Sequence, residues 1–200
     1  NGVGVKDVVR RSRIVVCTCS TAAVLDLLEM VFSYVFVDEA GQALEPECLI
    51  PVSLLDEEHG QLVLAGDPLQ LGPVVFSSLA SDNGLSISML ERLMGREPYK
   101  RDTTAFAATG NYDSMVVRPF ASSVYTPELW SLPLQVTKLV ENYRSHGKLL
   151  KLYSDQFYDG ELVEQADPEI TYSLCDWEHL PTKGVPLLFH GIGVIYWPRP

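Results

Sequence analysis

Residues 35–42 read VFVDEAGQ, an apolar run that ends in two adjacent carboxylates, Asp38 and Glu39. Two like charges at the rim of an apolar core are costly unless something positive offsets them, because desolvation and mutual repulsion both disfavour the charged forms. A bound cation would do so. The pair then fits the chemistry of nucleotide hydrolysis: one carboxylate holds Mg²⁺, directly or through water, and its neighbour polarises an attacking water. Two other stretches offer matching chemistry. In GDPLQLGP (66–73) Gly66 permits close backbone approach and the Gln70 amide can donate to a phosphate oxygen, and in ENYRSH (141–146) Arg144 falls at a strand-to-helix turn. Singly, each has a plainer reading: a solvated acidic loop, a Gly-Asp-Pro turn, a surface ion-pair partner.

These positions need elements to hold them. RIVVCTCS (13–20) reads as a β-rich run, and STAAVLDLLEM after it as a helix with Ser20 or Thr21 at its N-cap and Val24, Leu25 and Leu28 on one face. VFVDE is the next strand. GQALEPECLIPVSLL is helical in part, with Pro46 limiting where the helix begins, and QLVLAGD (61–67) is a third strand. ISMLERLM (87–94) places Ile87, Leu90 and Met94 in helical register, with Met89 and Met94 as core residues. Residues 137–158 give a short strand, a turn and a helix with Leu149, Tyr153 and Phe157 on one face. Apolar strands separated by helices predict an α/β fold, a parallel sheet with helices on both faces. Ligands of such sheets sit beyond the carboxyl ends of the strands, where all three chemical features fall. Between residues 98 and 136 the pattern lapses into Ser, Thr, Gly and Pro without a period, as in a linker, an insertion or a lid.

Composition narrows the class. With 200 residues, 46% of them hydrophobic and 20% charged, the chain suits one ordinary domain or one domain and part of a second. The four cysteines, Cys17, Cys19, Cys48 and Cys175, form no C-x-x-C pair and no zinc spacing, and read as reduced thiols of an intracellular protein, with Cys17 and Cys19 packing at a strand end. His59, His146, His179 and His190 lack ligand spacing as well. No apolar run approaches the roughly 18 residues that cross a bilayer, so no membrane partner is expected. The chain starts at Asn1, not Met, and reads as a piece of a longer protein. A net charge of −11 argues against a freestanding nucleic-acid binder, although small basic clusters occur at Arg10, Arg11 and Arg13 and at Lys100 and Arg101.

In combination and in this order, DEAGQ, LAGDPLQLGPV and LVENYRSH resemble superfamily 1 RNA helicases of the Upf type, with a closer fit to the Armitage-type branch, the Moloney leukaemia virus 10-like helicases. The resemblance takes in VVCTCSTA (15–22), ECLIPVSLL and LERLMGREPYKRD, and covers roughly residues 13–110 and 137–191. It implies a RecA-like sheet: lobe one, without its Walker A part, over 1–97, a linker or insertion over 98–136, the start of lobe two over 137–191 and a divergent tail over 192–200. It also implies ATP as substrate and Mg²⁺ as cofactor. Asp38 resembles the metal ligand and Glu39 the general base. Gln70 would sense the γ-phosphate, Gly66 and Asp67 would line the nucleotide, and Arg144 would be the arginine finger of lobe two. Thr18, Ser20 and Thr21 would contact the RNA backbone. The implied partners are single-stranded RNA and proteins of silencing or other ribonucleoprotein complexes, in the cytoplasm and in RNP granules.

The chain departs from the family pattern in three places. No G-x-x-x-x-G-K-[ST] occurs, the stretch MVVRPFASSVYTPELWSLPLQV is inserted between the lobes, and the tail GIGVIYWPRP diverges. The 200 residues alone are therefore expected not to hydrolyse ATP. Two other readings stay open: a truncated, ATPase-inactive isoform serving as an RNA- or protein-binding module, and a DNA-directed helicase of the same superfamily, since these motifs do not read the 2′-hydroxyl.

Overall fold

The computed structural model describes residues 5–96, 99, 136 and 138–193. These divide into two units, 5–96 with 99 and 136 with 138–193. Most of the expected insertion over 98–136, the basic pair Lys100 and Arg101, and the tail from 194 onward lie outside the described residues.

The first unit is organised by the period of two in YVFV. Strand β1 (Tyr34–Val37) turns Val35 and Val37 into the core and leaves Tyr34 and Phe36 56% and 71% exposed. It pairs in parallel with β2 (Gln61–Leu64), in register from Tyr34↔Gln61 to Val37↔Leu64. The buried face packs on Ala40, Cys48 and Met89. Cys48 comes from the connecting helix α3 (Glu45–Val52), which carries Pro46 in its first turn, where a missing N–H costs nothing. Helix α2 (Cys19–Asp26) packs against α3 and joins Ala22 and Leu25 to Leu54 in a second cluster. Two short helices follow, α4 (Ser78–Asp82) and α5 (Met89–Met94), capped by the Ser77 and Ser88 hydroxyls, which accept from the Ala80 and Glu91 N–H groups. Helix α1 (Val5–Arg11) opens the described chain.

Several expectations change here. Among the described residues the sheet is covered on one face only, as the exposure of Phe36 shows. Residues 13–18 form no strand: Ile14 and Val16 are 83% and 91% exposed and find no ladder partner among the described residues, so β-propensity alone does not fix their state. Thr18, not Ser20 or Thr21, caps α2, because its hydroxyl reaches the Thr21 N–H at 3.2 Å. Ala22, Leu25 and Leu28 are buried, whereas Val24 is exposed. Cys17 is exposed and does not pack. Ile87 precedes α5 and is partly exposed, while Met89 is buried as expected.

The second unit is one strand–helix–strand turn. Strands β3 (Glu141–Asn142) and β4 (Val163–Glu164) pair in parallel, and α6 (Gly147–Phe157) connects them. Leu150 and Ser154, one turn apart, form the buried stripe of α6, in place of the expected Leu149, Tyr153 and Phe157, of which the last two are half exposed. The Ser154 hydroxyl accepts from the Leu162 N–H at 3.0 Å, which ties the helix to the approach of β4. Lys138 closes the same loop by donating to the Glu161 carboxylate at 2.6 Å. A short helix α7 (Pro168–Thr171), capped by Asp167, follows. Among the described residues no helix is long and apolar enough to cross a membrane.

Candidate nucleotide-hydrolysis site

The chain leaves β1 and β2 at the same end of the ladder, so the loops after them meet. The Ala65 N–H donates to the Val37 carbonyl at 2.9 Å and the Ala40 N–H to the Ala65 carbonyl at 2.8 Å, which ties the two loops together just beyond the strand ends. Two glycines allow this approach. A Cβ on Gly66 would lie 2.8 and 2.9 Å from the backbone nitrogens of Gly41 and Ala40, and one on Gly41 would lie 2.7 Å from the Asp67 carbonyl oxygen. Asp38, Glu39, Gly66, Asp67 and Gln70 are thereby brought onto two touching loops at the carboxyl ends of parallel strands. Gly41 was visible in VFVDEAGQ, but only the packing reveals its part.

Glu39 adopts φ +53°, the left-handed region that non-glycine residues seldom enter. The other two described non-glycine residues at positive φ, Glu29 and Asp159, lie in the turns that close α2 and α6, where the Met30 and Gly160 N–H groups reach back to the Leu25 and Ser154 carbonyls. Glu39 follows a strand, so helix closure does not account for it. Its conformation is held by the Asp38 side chain, whose Oδ1 accepts the Glu39 N–H at 3.0 Å, and by the Gln42 N–H donating to its carbonyl at 2.9 Å. Strain of this kind is costly, and it gathers at sites where side-chain direction matters. Here it turns consecutive carboxylates outward, both exposed.

On the facing loop, Asp67 Oδ1 accepts the Leu69 N–H at 2.9 Å and Oδ2 accepts the Gln70 Nε2 at 2.8 Å. One N–H of the Gln70 amide is thus engaged by Asp67. The amide carries a second N–H, and donation to a phosphate would use that one or require release from Asp67. Among the described residues no three His, Cys, Asp or Glu side chains group to hold a metal. Mg²⁺ in phosphate sites takes only one or two carboxylates, with water and phosphate oxygens completing its shell, and the exposed oxygen donors of Asp38 fit that requirement.

Thr18 and Thr21 sit at the first turn of α2, their hydroxyls 2.8 Å apart, with Ser20 exposed between them. The Thr18 oxygen is partly engaged by its capping bond. Arg144 stands in the second unit, at the turn from β3 into α6. The Asn142 Oδ1 accepts the N–H groups of both Arg144, at 3.0 Å, and Ser145, at 2.8 Å. His146 caps α6, its Nδ1 accepting the Lys148 N–H at 3.1 Å, and its buried ring lies 4.1 Å from that of Tyr172. The neighbouring Tyr143 donates to the Glu141 carboxylate, and that bond, with the negative charge behind it, pushes the phenol up from its ordinary range. Sequence reasoning passed over Asn142, although an Asn two residues before a turn is a known Asx signal.

Parallel strands joined through helices define an α/β protein, and the carboxylates, close glycines and amide lie at the carboxyl-end edge where ligands of such sheets sit. Comparison with known proteins gives that class a family. A family model described as an AAA domain matches residues 4–78. The chain is 51% identical over 185 residues to RNA helicase Mov10l1 of Mus musculus and 50% identical to that of Homo sapiens, matches that cover 91% of this chain and 14% of each relative. It is 38% identical over 156 residues, 76% of this chain and 11% of the relative, to the probable RNA helicase armi of Drosophila melanogaster. The chain belongs to the superfamily 1 helicases of the Upf type, on the Armitage and Moloney leukaemia virus 10-like branch, and spans about a seventh of the Mov10l1 proteins it matches.

Proposed function

We propose that these residues are the ATP-hydrolysing segment of an RNA helicase that couples nucleotide turnover to movement on single-stranded RNA, with a RecA-like sheet completed by the rest of the protein. The observation that carries this is Glu39: a carboxylate held at positive φ, directly after a parallel strand, beside a second carboxylate and against the loop of Gly66, Asp67 and Gln70. Asp38 would hold Mg²⁺, which neutralises charge on the phosphates when bound. Glu39 accepts the proton of the attacking water. Gly66 and Asp67 shape the facing wall, and Gln70 donates its amide to the γ-phosphate. Arg144 neutralises charge on the transferring group. Thr18, Ser20 and Thr21 offer hydroxyls to the RNA backbone at the N-terminus of α2, where the helix dipole also favours phosphate. A place in cytoplasmic silencing complexes or RNP granules is part of the same proposal.

Glu39→Gln in a full-length protein carrying this segment tests the reading, since it keeps shape and removes the base. ATP and RNA binding are expected to survive while RNA-stimulated phosphate release falls about 10² to 10⁴-fold. Turnover near the wild-type rate would make the carboxylate pair a structural turn.

A further inference from the structure

The geometry points to Asn142 as the residue that positions Arg144 for phosphoryl transfer, an inference that rests on the finger role proposed above. Strand β3 ends at Asn142, and α6 does not begin until Gly147, so four residues must turn the chain between them. Backbone N–H groups in such a turn need partners. The single Asn142 Oδ1 takes two of them, from Arg144 at 3.0 Å and from Ser145 at 2.8 Å, an Asx arrangement that fixes the peptide planes on both sides of the Arg144 Cα. Asn142 is itself anchored, because it is paired in register with Glu164 of β4, and the Gln165 N–H donates to its carbonyl at 2.8 Å. The far side of the turn is fixed independently by His146, buried and capping α6. Arg144 is exposed, and among the described residues its guanidinium has no hydrogen-bond or ion-pair partner. For so long a side chain, the direction in which it leaves the backbone is set by the turn beneath it. A displacement on the order of 1 Å at a reacting group costs about 10²-fold in rate.

Asn142 does not touch nucleotide in this account and acts through Arg144 alone. It should therefore change the turnover rate without changing nucleotide affinity. The effect should vanish when the arginine side chain is already absent, since residues that act as a unit are not additive.

The test uses a full-length protein carrying this segment, in four forms: Asn142→Ala, Asn142→Ser, Arg144→Ala and the Asn142→Ala/Arg144→Ala double variant. Two measurements are made on each: RNA-stimulated kcat and KM for ATP, and amide hydrogen exchange at residues 144 and 145. Asn142→Ala is expected to speed exchange at both amides and to lower kcat about 10 to 100-fold with KM nearly unchanged. Asn142→Ser, whose hydroxyl accepts from a turn without adding charge, should regain part of both. The double variant should turn over no more slowly than Arg144→Ala. Unchanged kcat in Asn142→Ala, while Arg144→Ala is impaired, would overturn the positioning role and leave the finger standing. Unimpaired turnover in Arg144→Ala would overturn the finger itself and this inference with it. A further loss in the double variant, or protection regained by Asn142→Ser without turnover, would also overturn it.

Discussion

A single guanidinium separates two accounts of the second unit. If Arg144 meets the transferring phosphoryl group, its contribution belongs to the transition state, and Arg144→Ala should lower kcat about 10³ to 10⁵-fold with little change in nucleotide affinity. Arg144→Lys should restore only a fraction, because an ammonium keeps the charge but loses the planar fork that donates to two oxygens at once. Parallel measurement of melting and of turnover distinguishes this from a surface ion pair, whose loss would lower stability and spare the rate. Asp38, Glu39, Gln70 and Arg144 stand out in the sequence by residue type and spacing alone. What identity could not convey was who holds them. The positive φ of Glu39 and the side-chain grip of Asp67 on Gln70 emerge only in the folded loops, whereas the Asx turn under Arg144 had its signal in Asn142.

At the scale of elements, the glycine contact between the β1 and β2 loops is the most exacting feature. Gly66→Ala forces a Cβ to within 3 Å of two backbone nitrogens, and backbone cannot rotate away as a flexible side chain can. The loops should part, at a cost of ~1–3 kcal/mol typical of overpacking, with turnover falling further than stability explains. Thermal melting and phosphate release measured on the same variant would show both effects. An ion pair joins two other elements: the Arg92 guanidinium of α5 grips the Glu45 carboxylate of α3 through Nε and Nη2, each at 2.6 Å. Hydrogen bonding from Arg92 holds the Glu45 carboxyl below the usual carboxylate range. A depressed folded-state pKa stabilises above the unfolded value, and that contribution is lost as pH falls through the folded one. The wild-type chain should therefore melt slightly higher than Arg92→Met near neutral pH, by a few degrees at most, and the difference should close on acidification below the carboxylate range. A gap that persists in acid would assign the effect to packing of the arginine stem.

Element positions were partly legible for physical reasons that differ by segment. The two strands that carry the site were visible because apolar runs end abruptly in Asp38 and Gly66. The β-rich run at 13–20 forms no strand, because strand propensity expresses itself only against a partner. In α6 the apolar stripe of Leu149, Tyr153 and Phe157 lies one residue from Leu150 and Ser154, the stripe that packs, and the two-residue strands β3 and β4 are too short to leave a periodic signal of which one it is.

For the whole molecule, the 200 residues hold the carboxylates, the amide and the arginine but no G-x-x-x-x-G-K-[ST] loop to cradle phosphate with backbone N–H groups and a lysine. The purified chain alone is expected to release no phosphate above background in the presence of ATP, magnesium and single-stranded RNA. Clear RNA-dependent release, retained in a preparation free of contaminating ATPase and abolished by Glu39→Gln, would show that the phosphate cradle is supplied in another way.

A ladder of only two strands has no interior strand. Among the described residues β1 and β2 each pair on one side, and Tyr34 and Phe36 stand bare on the uncovered face. YVFV is aromatic and β-branched, uncharged and free of proline, the composition that recruits identical segments into cross-β stacks when an edge is open. The strand that delivers Asp38 and Glu39 is thus also a segment open to self-association when these residues are expressed alone. Phe36→Lys would place a gatekeeper charge on the bare face without disturbing Val35 and Val37, and would keep the isolated segment dispersed at concentrations where the native sequence scatters light.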